Sequence, residues 1–201
     1  MKDATIIIGE GPTEFYFLTS LKDQYRGILQ NIEPSHPKHT SITELEKKIE
    51  QSIATGFNRI YCLIDLDNKK AGTNKANYYK LKNKYHNKHI VNTKKGIDYV
   101  VIFVETERCT ELFFIYYFQY TTKLFNTSDD VEDHLSKICP YQKDQTFFKK
   151  HPLHPYFCAH GGSLVTAIRN AEKSRNSAVG SNRNHTFSEI GKMFIDLGIT
   201  I

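Results

Sequence analysis

Three acidic side chains stand where apolar segments of the sequence end. Asp65 and Asp67 close the run "IYCLIDLD", and Glu10 closes "IIIGE". In an extended strand, residues two apart point to the same face, so Asp65 and Asp67 would lie side by side. Like charges held this close repel each other unless a cation lies between them. Carboxylate oxygens are the ligands that Mg²⁺ and Mn²⁺ favour, so Glu10, Asp65 and Asp67 predict a divalent-metal site.

The two aspartates also have an ordinary interpretation, as turn residues that pair with Lys69 or Lys70. The presence of Glu10 at the end of another strand favours the metal site. "GEGPTE" is not followed by Gly-Lys-Ser/Thr, so it does not predict a nucleoside triphosphatase. An aspartate-nucleophile phosphatase is also disfavoured, because Asn68 follows the second aspartate and Glu10 would have no role.

The elements that must position these acids alternate between strand and helix. Strands are predicted at 4–9, 59–67 and 98–105, with a short one within 29–36. This alternation predicts an α/β fold with a mostly parallel sheet and helices on both faces. In such sheets, ligands bind beyond the carboxyl ends of the strands. The acids follow that rule, including Glu105 and Glu107 after the last strand.

Helices are predicted wherever apolar residues recur at helical spacing. They cover 12–27, 41–56, 77–87, 110–122, 126–138, 163–176 and 186–199, and 140–162 is irregular or short-helical. The second begins with Ser41 and Glu44, a capping-box pair. In the last, Phe187, Ile190 and Phe194 align on one face. We expect a single unit over 1–201, with an α/β core at 3–120 and a helical extension at 121–201.

Composition narrows the class of protein further. The chain has 201 residues, a formal net charge of +5 and a pI of about 8.9, which permits a phosphate-rich partner without requiring one. The opening residues do not form a secretory leader, and no apolar run is long enough to span a bilayer. We therefore expect a cytoplasmic protein. Its four cysteines form no CxxC pair and are expected to be free thiols.

A lysine-rich segment begins directly after the aspartates and contains no acid between Asp67 and Asp98. It is either a solvated helix face or a surface that follows a nucleic-acid backbone. In the second interpretation, Lys69, Lys70 and Lys75 contact phosphates. Lys69 could also neutralise charge that develops on a phosphate during cleavage. The tyrosines of the segment, Tyr78, Tyr79 and Tyr85, could then stack on bases.

A second group of residues could in principle bind metal. His151, His154, Cys158 and His160 fall within "HPLHPYFCAH", and imidazole and thiolate groups are zinc ligands. Zinc sites usually take ligand pairs from two separated turns, so packing or phosphate contact is the favoured interpretation. One of the histidines could serve as a general acid or base.

The segments around the acids resemble short motifs of a known family. "IIIGEGPTEFYFLTSLK" looks like the opening of the toprim domain, and "LIDLDNK" looks like its later Asp-x-Asp motif. Together with "ERCTELFFIYYF" and "HTFSEIGKMF", they resemble RloB-like proteins, a bacterial toprim-related family associated with restriction loci and phage defence. The resemblance covers nearly the whole chain.

This resemblance implies a toprim-like, Rossmann-like fold and assigns site roles to Glu10, Glu14, Asp65, Asp67 and Glu111. It favours a nuclease that uses Mg²⁺ or Mn²⁺ to cleave DNA or RNA. RloB-like proteins are often encoded beside an ATPase, so an ATPase partner is expected. The alternative is a non-catalytic component of a defence complex that binds nucleic acid or senses a partner.

The chain departs from the family pattern at two places. The Asn-Pro expected before the later glutamate is Glu107-Arg108, and the late Pro-x-Thr is replaced by the residues at 184–186. The first departure leaves the placement of Glu111 open. Both Glu14 and Glu111 are also plausible as first-turn acids that a helix dipole favours.

Overall fold

Five short segments form the strands of one sheet in the computed structural model, which describes residues 4–29, 32–37, 41–67, 69, 72–179 and 186–199. The strands are β1 (Thr5–Ile8), β2 (Ile32–Ser35), β3 (Arg59–Asp65), β4 (His89–Asn92) and β5 (Ile97–Thr106). Their order in the sheet is β2-β1-β3-β5-β4. All neighbours are parallel except β4, which runs antiparallel to β5. The predicted α/β class and mostly parallel sheet are confirmed.

The edge strand β4 was not predicted from the sequence. Its four residues, His89 to Asn92, are all exposed, so they carry no alternation between buried and exposed positions. It pairs with β5 across a tight connection made by a 3-10 turn at Thr93–Lys95 and Gly96, whose φ is +64°. A strand without a buried face gives little hydrophobic pattern to detect.

Ten helices surround the sheet in the described part of the chain. They are α1 (Pro12–Gln24), α2 (Arg26–Leu29), α3 (Ile42–Ala54), α4 (Gly72–Tyr85), α5 (Glu111–Tyr116), α6 (Ser128–Ile138), α7 (Gln145–Lys150), α8 (Leu153–Ala159), α9 (Leu164–Val179) and α10 (Ile190–Asp196). The predicted cap of α3 is present, since Ser41 Oγ accepts a hydrogen bond of 3.2 Å from the Glu44 amide. α9 continues to Val179, three residues past its predicted end at residue 176, and residues 180–185 lie outside the described residues.

Two hydrophobic clusters cover the two faces of the sheet. Side chains alternate along β3, so Tyr61 and Leu63 enter one cluster while Cys62 and Ile64 enter the other. Helices α1, α5, α8, α9 and α10 contribute to the first cluster, and α3 and α4 contribute to the second. Residues after 121 therefore share a core with the sheet.

Several predicted helices have different bounds in the structure. α4 begins at Gly72, five residues before the predicted start at residue 77. α5 ends at Tyr116 instead of continuing to residue 122, because the chain turns there and the Tyr117 carbonyl accepts a hydrogen bond from the Ser163 amide. α10 begins at Ile190, so Phe187 is not on its apolar face. The residues before α10 instead run beside the end of β5, where Ser188 forms an antiparallel bridge with Thr106.

The close packing of α10 on α9 is testable at Gly191. A Cβ atom there would lie 2.8 Å from the Ala171 Cβ and 2.9 Å from the Ile168 carbonyl oxygen. We expect Gly191→Ala to lower the free energy of unfolding by about 1–3 kcal/mol, the usual cost of overpacking. Gly27→Ala is the matched control, because no atom lies within 4 Å of its Cβ position. Equal denaturant midpoints for the two variants would contradict this packing.

Candidate active site

The topology of the sheet creates a crevice between β1 and β3. The connections from β1 lead to β2 on one side, and those from β3 lead to β5 on the other. α1 packs on one face of the sheet and α3 packs on the opposite face, so the helices diverge at this point. Ligand sites of open α/β sheets form at such switch points, beyond the carboxyl ends of the strands. Glu10 and Asp65 lie at these two ends.

Five carboxylates converge on this crevice, and we refer to them as the carboxylate cluster. They are Glu10, Glu14, Asp65, Asp67 and Glu111. The electrostatic interactions among them are strong enough to shift pKa values, as described below. The structure thus brings together all five acids named from the sequence, whereas Glu105 pairs with Tyr78 and Lys82 of α4.

The loop that carries the aspartates is fixed to the loop after β5. Asp65 ends the pairing of β3 with β5, opposite Thr106. The Leu66 amide then donates a hydrogen bond of 3.0 Å to the Thr106 carbonyl, and the Asp67 amide donates one of 3.3 Å to the Arg108 carbonyl. Backbone pairing therefore continues past the strand and sets the position of both carboxylates.

Two hydroxyl groups orient the aspartates. Thr110 Oγ1 donates a hydrogen bond of 3.1 Å to Asp65 Oδ1, and Ser128 Oγ donates one of 3.0 Å to Asp67 Oδ2. Thr110 directly precedes α5 and Ser128 begins α6, so each helix start holds one aspartate. The sequence analysis missed both hydroxyls. Only the position of Thr110, directly before Glu111, could have indicated a role.

Glu14 depends on a close approach to Gly9. The Glu14 side chain packs so tightly on the backbone that a Cβ atom at Gly9 would lie 2.3 Å from the Glu14 Cβ. Its Oε2 accepts a hydrogen bond of 2.9 Å from the Gly11 amide, which caps α1. The ordinary role of a first-turn acid is therefore present, and it coexists with a place in the carboxylate cluster.

Glu111 is fully buried and has two partners from the irregular segment after α6. The Tyr141 hydroxyl donates a hydrogen bond of 2.9 Å to its Oε1, and Lys143 Nζ lies 3.2 Å from its Oε2. Lys143 also bonds to Glu132 Oε1, at 2.8 Å. Tyr141 and Lys143 gave no signal in the sequence, because they fall where no periodic pattern exists.

Lys69 is the second lysine that contacts the carboxylate cluster, after Lys143. Its Nζ lies 3.0 Å from both Glu10 oxygens, and the contact with Oε2 has hydrogen-bond geometry. Glu10 Oε1 is buried and has no hydrogen-bond partner in the described part of the chain. Lys69 thus pairs with Glu10, and not with the neighbouring aspartates as the ordinary interpretation supposed. Lys70 lies outside the described residues.

Burial and mutual repulsion raise the pKa values of three acids in the cluster. Burial raises the pKa of Glu10 to about 7, with Glu14 and Asp67 adding to the effect and Lys69 opposing it. Burial and then the Glu14, Glu10 and Glu111 charges raise the pKa of Asp65 well above its usual range. Burial and the Glu111 charge raise the pKa of Glu14. A second positive charge, or protons, would relieve this repulsion.

The oxygen atoms of the carboxylate cluster are of the type that a hard divalent cation prefers as ligands. Every ligand candidate is a carboxylate oxygen, and Glu10 Oε1 has no donor bound to it in the described residues. The acids are nevertheless not assembled into a coordination sphere. Among the residues that the structure describes, no three His, Cys, Asp or Glu side chains are grouped so that they could hold a metal ion. Each acid is instead held by its own hydroxyl, amide or ammonium partner.

The lysine-rich segment forms α4, whose tyrosines differ in exposure. Tyr78 and Tyr85 are buried against the sheet, so the suggestion that they stack on bases is wrong. Tyr78 donates a hydrogen bond of 2.5 Å to Glu105 Oε1, which ties α4 to β5. Tyr79 remains available, with 48% of its surface exposed.

The lysines of α4 also differ in their partners. Lys82 pairs with Glu105, and Lys84 pairs with Glu46 at 2.7 Å. Lys75 and Lys80 are exposed and form no salt bridge within the described residues. Among the described residues of α4, the lysine charges without a salt bridge are therefore those of Lys75 and Lys80.

The histidine segment forms α8 and its flanks. His154 is buried, its Nδ1 lies 3.0 Å from the Tyr117 hydroxyl, and burial lowers its pKa to about 4. His160 Nδ1 lies 2.8 Å from the Tyr156 carbonyl oxygen. The His151 ring packs on Phe147 and Tyr156. Each imidazole therefore has a partner: His154 contacts Tyr117 at the end of α5, and His151 and His160 contact residues of α7 and α8.

The strand order and the acids at the carboxyl ends of β1 and β3 define a Rossmann-like α/β protein with a carboxylate site at its switch point. A family model described as RloB-like protein matches residues 5–197, nearly the whole chain. The chain therefore belongs to the RloB-like family, as its motifs predicted. Searches of curated proteins and of solved structures gave no match. Within the described residues, no helix has both the length and the apolar character needed to cross a membrane.

The raised pKa of Glu10 predicts a dependence of stability on pH. A folded-state pKa above the unfolded value stabilises the protein at low pH, and this stabilisation is lost as the pH rises through the folded value. For Glu10, with a pKa of about 7, the loss between pH 6 and pH 8 should be about 1.4 kcal/mol. Denaturant unfolding of the metal-free protein measures it.

Glu10→Gln should remove this part of the pH dependence, whereas Glu33→Gln at an exposed position of β2 should keep it. His154 has the opposite sign, because its lowered pKa reduces stability only as the pH falls below about 6.5. Part of this change falls inside the window between pH 6 and pH 8, but the wild type and Glu10→Gln both contain His154, so its contribution cancels when the two are compared. Identical pH profiles for the wild type and Glu10→Gln would contradict the assigned environment of Glu10.

Proposed function

We propose that this protein is a metal-dependent nuclease that hydrolyses phosphodiester bonds of DNA or RNA. The observation that carries the proposal is an excess of buried negative charge. The carboxylate cluster has five acids; in the described residues Lys69 pairs with Glu10 and Lys143 pairs with Glu111, while burial and mutual repulsion raise the pKa values of Glu10, Glu14 and Asp65. A divalent cation would compensate the remaining charge, and a phosphodiester is a substrate that such a cation can activate.

Glu10, Asp65 and Asp67 would hold Mg²⁺ or Mn²⁺, with Glu14 and Glu111 in support. When bound, such an ion supplies a water of lowered pKa and neutralises charge on the phosphate. The chain supplies orientation: Thr110 holds Asp65 and Ser128 holds Asp67 through the hydrogen bonds described above. Fixed ligands need no rearrangement during the reaction, which lowers the barrier.

The exposed side of α4 would bind the nucleic-acid backbone. Lys75 and Tyr79 are one helical turn apart, so they share a face, and Lys80 follows directly. Free ammonium groups suit phosphates, and an exposed tyrosine ring suits an unpaired base. Lys82 and Lys84 are engaged by acids and contribute less.

The RloB-like family also supports a wider role for the protein. We extend the proposal to phage defence and to action beside an ATPase partner, which the motif resemblance implied. The second candidate function is a non-catalytic component that binds nucleic acid or senses a partner. It is favoured by the separate hydrogen-bond and ion-pair partners of the acids, which stabilise the cluster without metal.

Cleavage assays separate these two functions. The purified protein should cleave plasmid DNA or tRNA with Mg²⁺ or Mn²⁺, and Asp65→Asn with Asp67→Asn should abolish cleavage and metal binding. EDTA should stop cleavage without loss of helical circular dichroism, because the sheet folds through its own core, and added Mg²⁺ should restore it. The exposed pair Asp129→Asn with Asp133→Asn in α6 is the matched control and should cleave normally.

Three outcomes would contradict the proposal. Metal binding without cleavage, alone or with an ATPase partner, would favour the non-catalytic function. Unchanged Mn²⁺ binding in calorimetry of the Asp65 and Asp67 variant would place the metal elsewhere. One zinc per chain, together with unfolding on chelation, would assign a structural metal site to the histidine segment.

Salt dependence tests the role of α4. Replacing Lys75 and Lys80 by Ala should weaken nucleic-acid binding and reduce the slope of log K against log salt. Each lost phosphate contact should reduce the slope by about 0.7–0.9. Lys149→Ala with Lys150→Ala, on the exposed side of α7, is the control and should leave the slope unchanged. An unchanged slope in the α4 variant would mean that this helix face is only solvated.

A further inference from the structure

The pairing of Lys69 with Glu10 is unusual for a lysine near the surface of a crevice. Lys69 follows Asp67 by two residues, yet its side chain turns back towards the end of β1 and is only 8% exposed. Lysine side chains are rarely buried to this extent unless they are paired. Here the Nζ atom lies 3.0 Å from each oxygen of one carboxylate. The ammonium therefore occupies the position that another cation bound to both oxygens would take.

Lys143, the other cation of the cluster, is held differently. It contacts Glu111 at 3.2 Å and Glu132 at 2.8 Å, and its side chain is 36% exposed. If Glu111 were taken by another cation, Lys143 would keep Glu132. Lys69 has Glu10 as its single carboxylate partner in the described residues. Losing Glu10 would leave Lys69 free to move.

A divalent cation competes with the Lys69 ammonium for Glu10. The Nζ atom lies 3.0 Å from both carboxylate oxygens, so a cation that binds both oxygens takes the position of the ammonium. A cation that binds Oε1 alone still lies a few ångströms from Nζ, and two positive charges at that distance repel strongly in a partly buried site. In either arrangement, metal binding favours release of the ammonium.

We propose that Lys69 is a tethered cation that holds Glu10 in the metal-free protein, is displaced by the divalent metal, and then contacts a phosphate of the bound nucleic acid. This inference rests on the proposed metal site. No covalent bond changes, since one ion pair is exchanged for another. Lys69 thereby makes nucleic-acid binding depend on prior metal binding, because its charge is available to a phosphate only after Glu10 has been taken.

Amine labelling tests the displacement in the wild-type protein. The protein is treated with an acetylating N-hydroxysuccinimide ester with and without Mg²⁺, and mass spectrometry gives the rate of modification of each lysine. Lys69 should react several-fold faster with Mg²⁺, whereas exposed Lys149 should react at one rate throughout. Lys143 should change little, because Glu132 retains it. A Lys69 rate that is unchanged or slower at saturating Mg²⁺ would overturn the inference.

Nucleic-acid binding tests the second part of the proposal, the contact between the displaced Lys69 and a phosphate. The affinity for phosphorothioate-linked single-stranded DNA, which resists hydrolysis, is measured with and without Mg²⁺. The wild type and Lys149→Met should bind several-fold more tightly with Mg²⁺, and Lys69→Met should lose most of this gain while its melting temperature still rises with Mg²⁺. An equal gain in Lys69→Met would overturn the phosphate contact.

The thermal shift separates failure of this inference from failure of the proposed function. If Mg²⁺ and Mn²⁺ leave the melting temperature of the wild type unchanged, there is no metal site, and both proposals fail together. If the melting temperature rises while Lys69 stays protected, the metal site stands and the exchange at Glu10 is wrong. If Lys69→Met does not fold, the labelling of the wild type still decides the matter.

Discussion

Repulsion among buried carboxylates is the constraint on which the rest of this structure depends. The acids lie at one crevice because the parallel sheet directs the ends of β1 and β3 to the same edge, where the connecting helices diverge. Burying them there costs free energy unless each has a partner. The surrounding hydroxyl, amide and ammonium groups are those partners. Thr110, Ser128, Tyr141 and two lysines all belong to elements outside the two strands.

The sequence allowed correct predictions where residues of a distinctive chemical type lie next to a periodic hydrophobic pattern. The acids at strand ends, the alternation of elements and the cap of α3 were all predicted, since each depends on residues close together in the chain. The partners of the acids were not predicted, because Tyr141 and Lys143 come from a segment without periodicity and reach Glu111 only through folding. Strand β4 was missed because it has no buried face.

The role of Gly9 shows how a site can restrict its own scaffold. A glycine after a strand is usually interpreted as a turn residue that permits an unusual backbone conformation. Here the reason is the space that the Glu14 side chain occupies, 2.3 Å from where a Cβ atom would lie. In the motif "GEGPTE", the first residue must therefore be small because the side chain of the last residue packs against it, and the motif also supplies two of the acids.

The strand-like residues before α10 connect the site to a late part of the chain. Glu107 donates its amide to the Phe187 carbonyl, Glu189 donates its amide to the Glu105 carbonyl, and Ser188 pairs with Thr106. This segment therefore holds the end of β5, from which the loop to Asp67 and Glu111 begins. During synthesis on a ribosome, the carboxylates emerge well before residues 186–189. A nascent chain would then lack these hydrogen bonds to the end of β5 until those residues are released.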